Sequence, residues 1–177
     1  MFENIVLNLP IIGTKTIIRN FNIDDYYGIR TWVNNKTVTQ GLMDSYIFDH
    51  FHSEKETNDF LNSSLILDYT NIRLVVADKI TNEYLGQIAL FNFSIPENNC
   101  EIDIVLANPE NWNKGIGSET IKLICKTAFF IFNLDKIYAK IKMTNKRAFK
   151  CATNSGFIIS NNDFPEYIIL SLMNCDK

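Results

Sequence analysis

Histidine is almost absent from this chain, and its cysteines are scattered. His50 and His52 are the only histidines among 177 residues, and Cys100, Cys125, Cys151 and Cys175 form no C-x-x-C pair. Neither histidine lies near a cysteine in sequence, so no zinc site, no other metal site and no disulfide framework is expected. Four free thiols suit a reducing cytoplasm. A net charge of −3 provides no global basic field for nucleic acid. The longest uncharged apolar run, 127–134, is far shorter than the roughly 20 residues that span a bilayer. The first residues, Met1-Phe2-Glu3-Asn4, lack the basic start and small-residue cleavage site of a signal peptide. No repeat, low-complexity tract or linker divides the chain, so 1–177 is expected to be one domain.

What is present is a run of alternating elements. Residues 16–21 read as a strand, followed by a helix capped by Asn22 or Asp24 and carrying Tyr27, Ile29, Trp32 and Val33. Residues 37–52 read as a long loop with both histidines and Tyr46, Phe48 and Phe51. Ser53 and Glu56 form a capping box that opens a helix running to about Leu67. Three strands follow without a helix between them: 72–78, 84–93 and 100–107, the first two joined as an antiparallel hairpin. A helix with apolar residues from Ile121 to Phe132 comes next, then an alternating strand at 136–142. A short helix over 145–155 has Asn145 as its N-cap and Gly156 just past its end. Strands at 157–159 and 167–172 close the chain.

The joint between the third strand and the long helix reads Asn111-Trp112-Asn113-Lys114-Gly115-Ile116-Gly117-Ser118-Glu119-Thr120. Glycines at a helix N-terminus bare backbone N–H groups where the helix carries partial positive charge, which suits a phosphate. A tight turn that binds nothing would use the same glycines. A dinucleotide fingerprint fits poorly, because Thr120 stands where a third glycine belongs and no acid ends the next strand. A Walker-type loop lacks its Gly-Lys-Ser/Thr.

With the order of elements added, the sequence resembles the GNAT acetyltransferases, and among them the RimJ/RimL type. Residues 111–119 resemble that group's acetyl-CoA signature, and Asn145 through Gly156-Phe157 resemble its second signature. Arg19 and Trp32-Val33-Asn34 are similar to its N-terminal positions. The likeness covers about residues 15–172. It implies an α+β GNAT fold: a mixed, mostly antiparallel central sheet of about seven strands flanked by four helices, splayed at the acetyl-CoA site. Three departures stand out. Trp112 takes a slot that is often Gln or Arg, Asn113 replaces a common Gly, and Ala152 stands where many relatives place a tyrosine that acts as general acid.

The resemblance implies an N-acetyltransferase that moves an acetyl group from acetyl-CoA (coenzyme A) to a primary amine by direct attack on the thioester. The acceptor would be a protein N-terminus or a small molecule. A non-catalytic acyl-CoA-binding domain is the alternative, and Ala152 lends it weight. The cofactor would be held by Asn113, Lys114, Gly115, Ile116, Gly117 and Ser118 at its pyrophosphate. Ile104 and Leu106 would hold it through the free backbone of the splayed strand, and Asn145 and Lys150 from the second helix. Between Lys136 and Lys150 there are six basic residues and no acid, a patch that would attract phosphates or else form a solvated face. Glu101 is the expected catalytic base, and Asp103, on the same face of its strand, is expected to attract a cationic amine. His50 is a further substrate-binding candidate. Cys151 would lie near the leaving thiolate or simply fill the core. A homodimer is the default expectation.

Overall fold

The computed structural model describes residues 7–175, apart from Leu67 and Tyr69 and the side chains of Ser45 and Tyr46. The N-terminal tetrapeptide, the expected helix end at Leu67 and the loop aromatic Tyr46 therefore lie outside the described residues. Among the described residues there is one sheet of eight strands, in the order β1-β2-β3-β4-β5-β6-β8-β7. The strands are β1 (Ile11–Ile12), β2 (Thr16–Arg19), β3 (Asn71–Asp78), β4 (Tyr84–Ser94), β5 (Asn99–Leu106), β6 (Lys136–Lys142), β7 (Ile158–Asn161) and β8 (Tyr167–Met173). The helices are α1 (Tyr26–Val33), α2 (Lys36–Thr39), α3 (Glu54–Leu65), α4 (Ile116–Phe132) and α5 (Lys146–Asn154). The mixed α+β architecture is the expected one, with two small elements added. β1 spans two residues and α2 one turn, both too short for apolar periodicity to reveal. Part of the expected 37–52 loop is thus ordered, since α2 opens it on an Asn35 cap and a 3-10 turn covers Ser45–Phe48. No described helix is long and apolar enough to cross a membrane.

Alternation along the strands divides the core in two. Ile72, Leu74, Ile88, Leu90, Cys100 and Ile102 point to one face, where Ile121, Ile124, Cys125 and Ala128 of α4 cover them. Those four helical positions recur at the spacing of one helix face. Val75, Ala77 and Val105 point to the other face, against Ile29 and Trp32 of α1 and Leu61 of α3. Burying each such side chain contributes about 1.5–3 kcal/mol. The α3 cap is the expected capping box, with Ser53 accepting from the Glu56 N–H and Glu56 accepting from the Ser53 N–H.

One pairing positions the site. Every neighbour in the sheet is antiparallel except β5 and β6, which α4 connects in parallel. Their ladder runs only from Asn99↔Lys136 to Glu101↔Tyr138. β6 then stays paired with β8 along its whole length, while β5 stays with β4 as far as Leu106. Past Glu101 the two strands diverge, and the far half of β5 has a free edge.

Candidate functional site

The space between the diverging strands holds a cavity of about 330 Å³, lined by Ile104 and Leu106 of β5, by Asn113, Gly115, Gly117 and Ser118 at the start of α4, and by Asn145, Lys150 and Cys151 at α5. A smaller cavity of about 70 Å³ lies next to it, where Asp103, Lys140 and Ala152 meet Gly41, Leu42 and Met43.

The start of α4 is built to present donors. Gly115 precedes the helix at φ 83°, and Asn113 reaches the turn at φ 60°. Asn is among the few residues that adopt that region readily, so its side chain is accommodated. The Glu119 N–H is bonded to the Gly115 carbonyl. Helix geometry leaves the N–H groups before it without intrahelical acceptors. The Lys15 ammonium donates to the Lys114 carbonyl at 2.7 Å and so brings a positive charge to the same turn. Glu119 holds that lysine's hairpin in place, accepting from the Thr14 N–H and hydroxyl and from the Lys15 N–H. Burial pushes the Glu119 carboxyl up, but these bonds leave it below the usual range. Neither Ile116 nor Lys114 lines the cavity with its side chain: Ile116 is buried in the core and Lys114 is exposed. Their contribution to this turn is backbone.

The β5 edge supplies the second row of polar groups. The Ala107 N–H donates to Leu85 of β4, so by alternation the backbone groups of Ile104 and Leu106 face the cleft. The Leu106 carbonyl accepts from the Trp112 indole at 3.3 Å. The Ile104 N–H donates to the adjacent Asp103 carboxylate at 2.8 Å. Across the cleft, Asn145 caps α5 by accepting from the Ala148 N–H and ties that cap to the 36–44 segment by donating to the Gly41 carbonyl at 2.9 Å.

Three residues at this site escaped the sequence reading. The Arg147 guanidinium stacks on Trp112, 3.2 Å from the ring centre, and reduced solvation lowers its pKa. Arg147 was visible only as one charge in a basic run. Lys15 was unreadable, because nothing in sequence links it to a turn a hundred residues away. Tyr138 shares the wet face of β6 with Lys140, and that alternation was a usable signal. Crowding first, and then the nearby Glu101 charge and hydrogen bond, push its phenol up to about 12.

The acids lie on the other face of the fork. Glu101 is buried at the last paired rung, where its carboxylate accepts from Asn92 at 3.0 Å and meets the Lys140 ammonium at 3.2 Å. Asn92 reaches it from an irregular stretch of β4, at φ 52°. Asp103 sits one step further out, open along the cleft but surrounded by protein elsewhere. That crowding raises its pKa above the ordinary 3.8, the Ile104 N–H pulls it back, and the charges of Glu101 and Asp44 raise it further. A raised carboxyl costs the fold nothing below 3.8 and penalises it as pH climbs through the folded-state value. Asp103→Asn is therefore expected to raise the melting temperature at pH 7 and to give no gain at pH 3, measured by calorimetry at both pH values. His50 lines neither cavity; it bonds Glu56 at 2.8 Å and stacks on His52. Cys151 does line the larger cavity, its thiol 3.5 Å from the Ser118 hydroxyl and pushed up by burial.

An acyl-CoA fits these residues. The helix start offers N–H donors beside Lys15, and an added Cβ at Gly115 would meet only the Lys15 ammonium, at 3.4 Å. The strand edge next to it offers backbone groups to an extended arm. Ala152 is buried and lines the small cavity.

Known proteins share the fold. The model of the acetyltransferase (GNAT) domain family matches residues 15–158. A spermidine N(1)-acetyltransferase of Vibrio cholerae serotype O1 is 25% identical over 138 residues, 78% of each chain. Among solved structures, a GNAT-family acetyltransferase from Bacillus anthracis superposes with a TM-score of 0.78 at 20% identity, covering 93% of this chain and 98% of that one. The Vibrio cholerae spermidine N-acetyltransferase, in complex with CoA and spermine, gives 0.73 at 20% identity over 91% and 96%. A ribosomal-protein-S5-alanine acetyltransferase from Vibrio fischeri gives 0.71 at 16% identity over 96% and 98%.

Proposed function

The chain belongs to the acetyltransferase (GNAT) family, is an N-acetyltransferase that draws on acetyl-CoA, and on that footing we propose that its acceptor is a small cationic primary amine of the polyamine kind. The observation that carries the reading is the acidic edge of the cleft. Glu101 and Asp103 lie on one strand face, and the charge of Asp44 acts on Asp103 from the loop opposite. Lys140 offsets the charge of Glu101, and the carboxylates of Asp103 and Asp44 that remain favour an acceptor with more than one ammonium group. The spermidine acetyltransferase relative points the same way. Protein N-termini, the acceptors of the RimJ/RimL type, carry one ammonium and fit that acidic edge less well.

In this reading the N–H groups at Gly115–Ser118 hold the pyrophosphate, with Lys15, Arg147 and Lys150 as flanking charges. The β5 backbone at Ile104 and Leu106 holds the pantetheine arm. The Ile104 N–H polarises the thioester once the Asp103 carboxylate releases it. Asp103 binds the incoming ammonium, and Glu101 takes its proton directly or through a water. The amine nitrogen would then bond the acetyl carbon as the C–S bond breaks, with the nitrogen's second proton passing through solvent to the departing CoA thiolate. With Ala152 in place, no tyrosine acid serves the thiolate from that position. A cytoplasmic location is part of the proposal, supported by the four free thiols. A homodimer is proposed on general grounds only.

The test is thiol release from acetyl-CoA with a panel of amines. Spermidine and spermine are expected to exceed alanine- and serine-initiated peptides by at least tenfold in kcat/KM. Background release with every amine, while acetyl-CoA still protects against melting, would instead favour the acyl-CoA-binding alternative.

A further inference from the structure

The two histidines left over by the acetyl-transfer site meet a carboxylate in the fold. His50, His52 and Glu56 each offer one ligand atom, and these atoms all lie within 4.8 Å of one another. His50 Nε2 is 2.8 Å from Glu56 Oε1. The two imidazoles stack at 4.6 Å between ring centres. Sequence spacing gave no hint of a metal, because the partner is neither a cysteine nor in a histidine motif but the third residue of a helix.

The cluster rests on fixed supports. Glu56 is the acid of the α3 capping box, and its other oxygen accepts from the Ser53 N–H at 2.8 Å and the Ser53 hydroxyl at 2.7 Å. The carboxylate is thus oriented by the cap, with Oε1 turned to His50. The His52 backbone is pinned on both sides. Its N–H donates to Asn34 at 2.8 Å, and its carbonyl accepts from Arg30 and Asn34. The His52 ring reaches the Ile47 carbonyl through Nε2 at 3.2 Å and packs on Phe48. A ring N–H given to a carbonyl leaves the other nitrogen its lone pair, the support that metal-ligating histidines use.

We propose that His50, His52 and Glu56 form a binding site for a divalent transition-metal ion, with Zn²⁺ as its representative, that clips the segment before α3 onto the first turn of that helix. Imidazole and carboxylate together suit Zn²⁺, Ni²⁺ and Cu²⁺ rather than Mg²⁺ or Ca²⁺. Ligand bonds of about 2.0–2.1 Å place the ligand atoms roughly 3.3 Å apart around a tetrahedral ion, so His50 and Glu56 need to part only slightly and His52 to move in. The remaining coordination positions face solvent and take water. None of the three residues lines either cavity of the acetyl-transfer cleft, and the clip does not depend on the acceptor assigned above.

Isothermal titration of the chelator-treated, reduced full chain with Zn²⁺ tests the site, read together with the imidazole nitrogen resonances. The expected result is one equivalent bound, both histidine rings shifting, and affinity at least tenfold weaker in His50→Ala and in Glu56→Gln. Glutamine still serves a capping box, so Glu56→Gln keeps the helix start and removes the anionic ligand. The proposal is overturned by the absence of binding at millimolar Zn²⁺. Equally, binding that leaves the histidine resonances still or survives both substitutions overturns it, by placing the ion on the cysteine thiols.

Discussion

Gly115→Val is expected to weaken acetyl-CoA binding at least a hundredfold, a loss of about 2.8 kcal/mol at 1.4 kcal/mol per decade. Gly115 stands at φ 83° immediately before α4. A β-branched residue pays heavily for that conformation, so the chain relieves it by turning the peptide unit. That rotation re-aims the N–H groups proposed to hold the pyrophosphate. The valine methyls also enter the space that is now open beyond the glycine, where the nearest atom is the Lys15 ammonium. Gly115→Asn is the matched control. Asparagine accepts the left-handed region, as Asn113 already does two residues earlier at φ 60°, so its loss is expected to be smaller. Calorimetric titration with acetyl-CoA reads both, and circular dichroism confirms that α4 persists. Undiminished affinity in the valine variant would mean that the phosphates sit elsewhere.

Glu101→Gln is expected to lower kcat about a hundredfold or more while leaving the dissociation constant for acetyl-CoA within twofold. General-base catalysis contributes 10²–10⁴ in rate, and an amide cannot take the ammonium proton. The substitution keeps the shape and one acceptor for Asn92 but unpairs Lys140. A readout beyond rate is therefore needed, and it is the pH profile of kcat/KM. If Glu101 accepts the proton, its alkaline-rising limb flattens in the variant. If the limb is unchanged and only KM for the amine rises, Glu101 attracts substrate without taking its proton. Asp103, which shares its strand face, then becomes the residue to replace next.

The sequence disclosed what is local. The Ser53–Glu56 box, the Asn145 cap, the extent of β6 and the strand-turn-helix at Gly115 all follow from neighbours in the chain, and the structure holds each as expected. Glu101 and Asp103 were placed on one face by alternation alone. What stayed hidden depends on distance. The insertion of β8 between β6 and β7 leaves no trace in periodicity. Lys15 reaches Lys114, and Asn145 reaches Gly41, across about a hundred residues of chain. His50 was read as a substrate-binding candidate because its loop, 37–52, would border the acceptor site in the fold that the resemblance implies. The structure packs that loop with Phe48 on Trp32 and His50 on Glu56.

Among the described residues, three ladder rungs, from Asn99↔Lys136 to Glu101↔Tyr138, join the first five strands of the sheet to the last three. The free arm beyond them, Ile102–Leu106, is about 17 Å long at 3.3–3.4 Å per residue. The fork therefore acts as a lever. A rotation of about 5° at its apex shifts its mouth by about 1.5 Å, and an error near 1 Å in alignment of reacting atoms is enough to slow chemistry severely. The opening angle is set on the wall of the cavity itself, where α4 and α5 touch. There the Ser118 hydroxyl donates to the Cys151 carbonyl, the Ser155 hydroxyl donates to the Ser118 carbonyl, and Gly117 lets the Cys151 thiol come so close that an added Cβ would lie 2.9 Å from it. Small residues at a helix crossing thus calibrate the distance between two halves of a cleft.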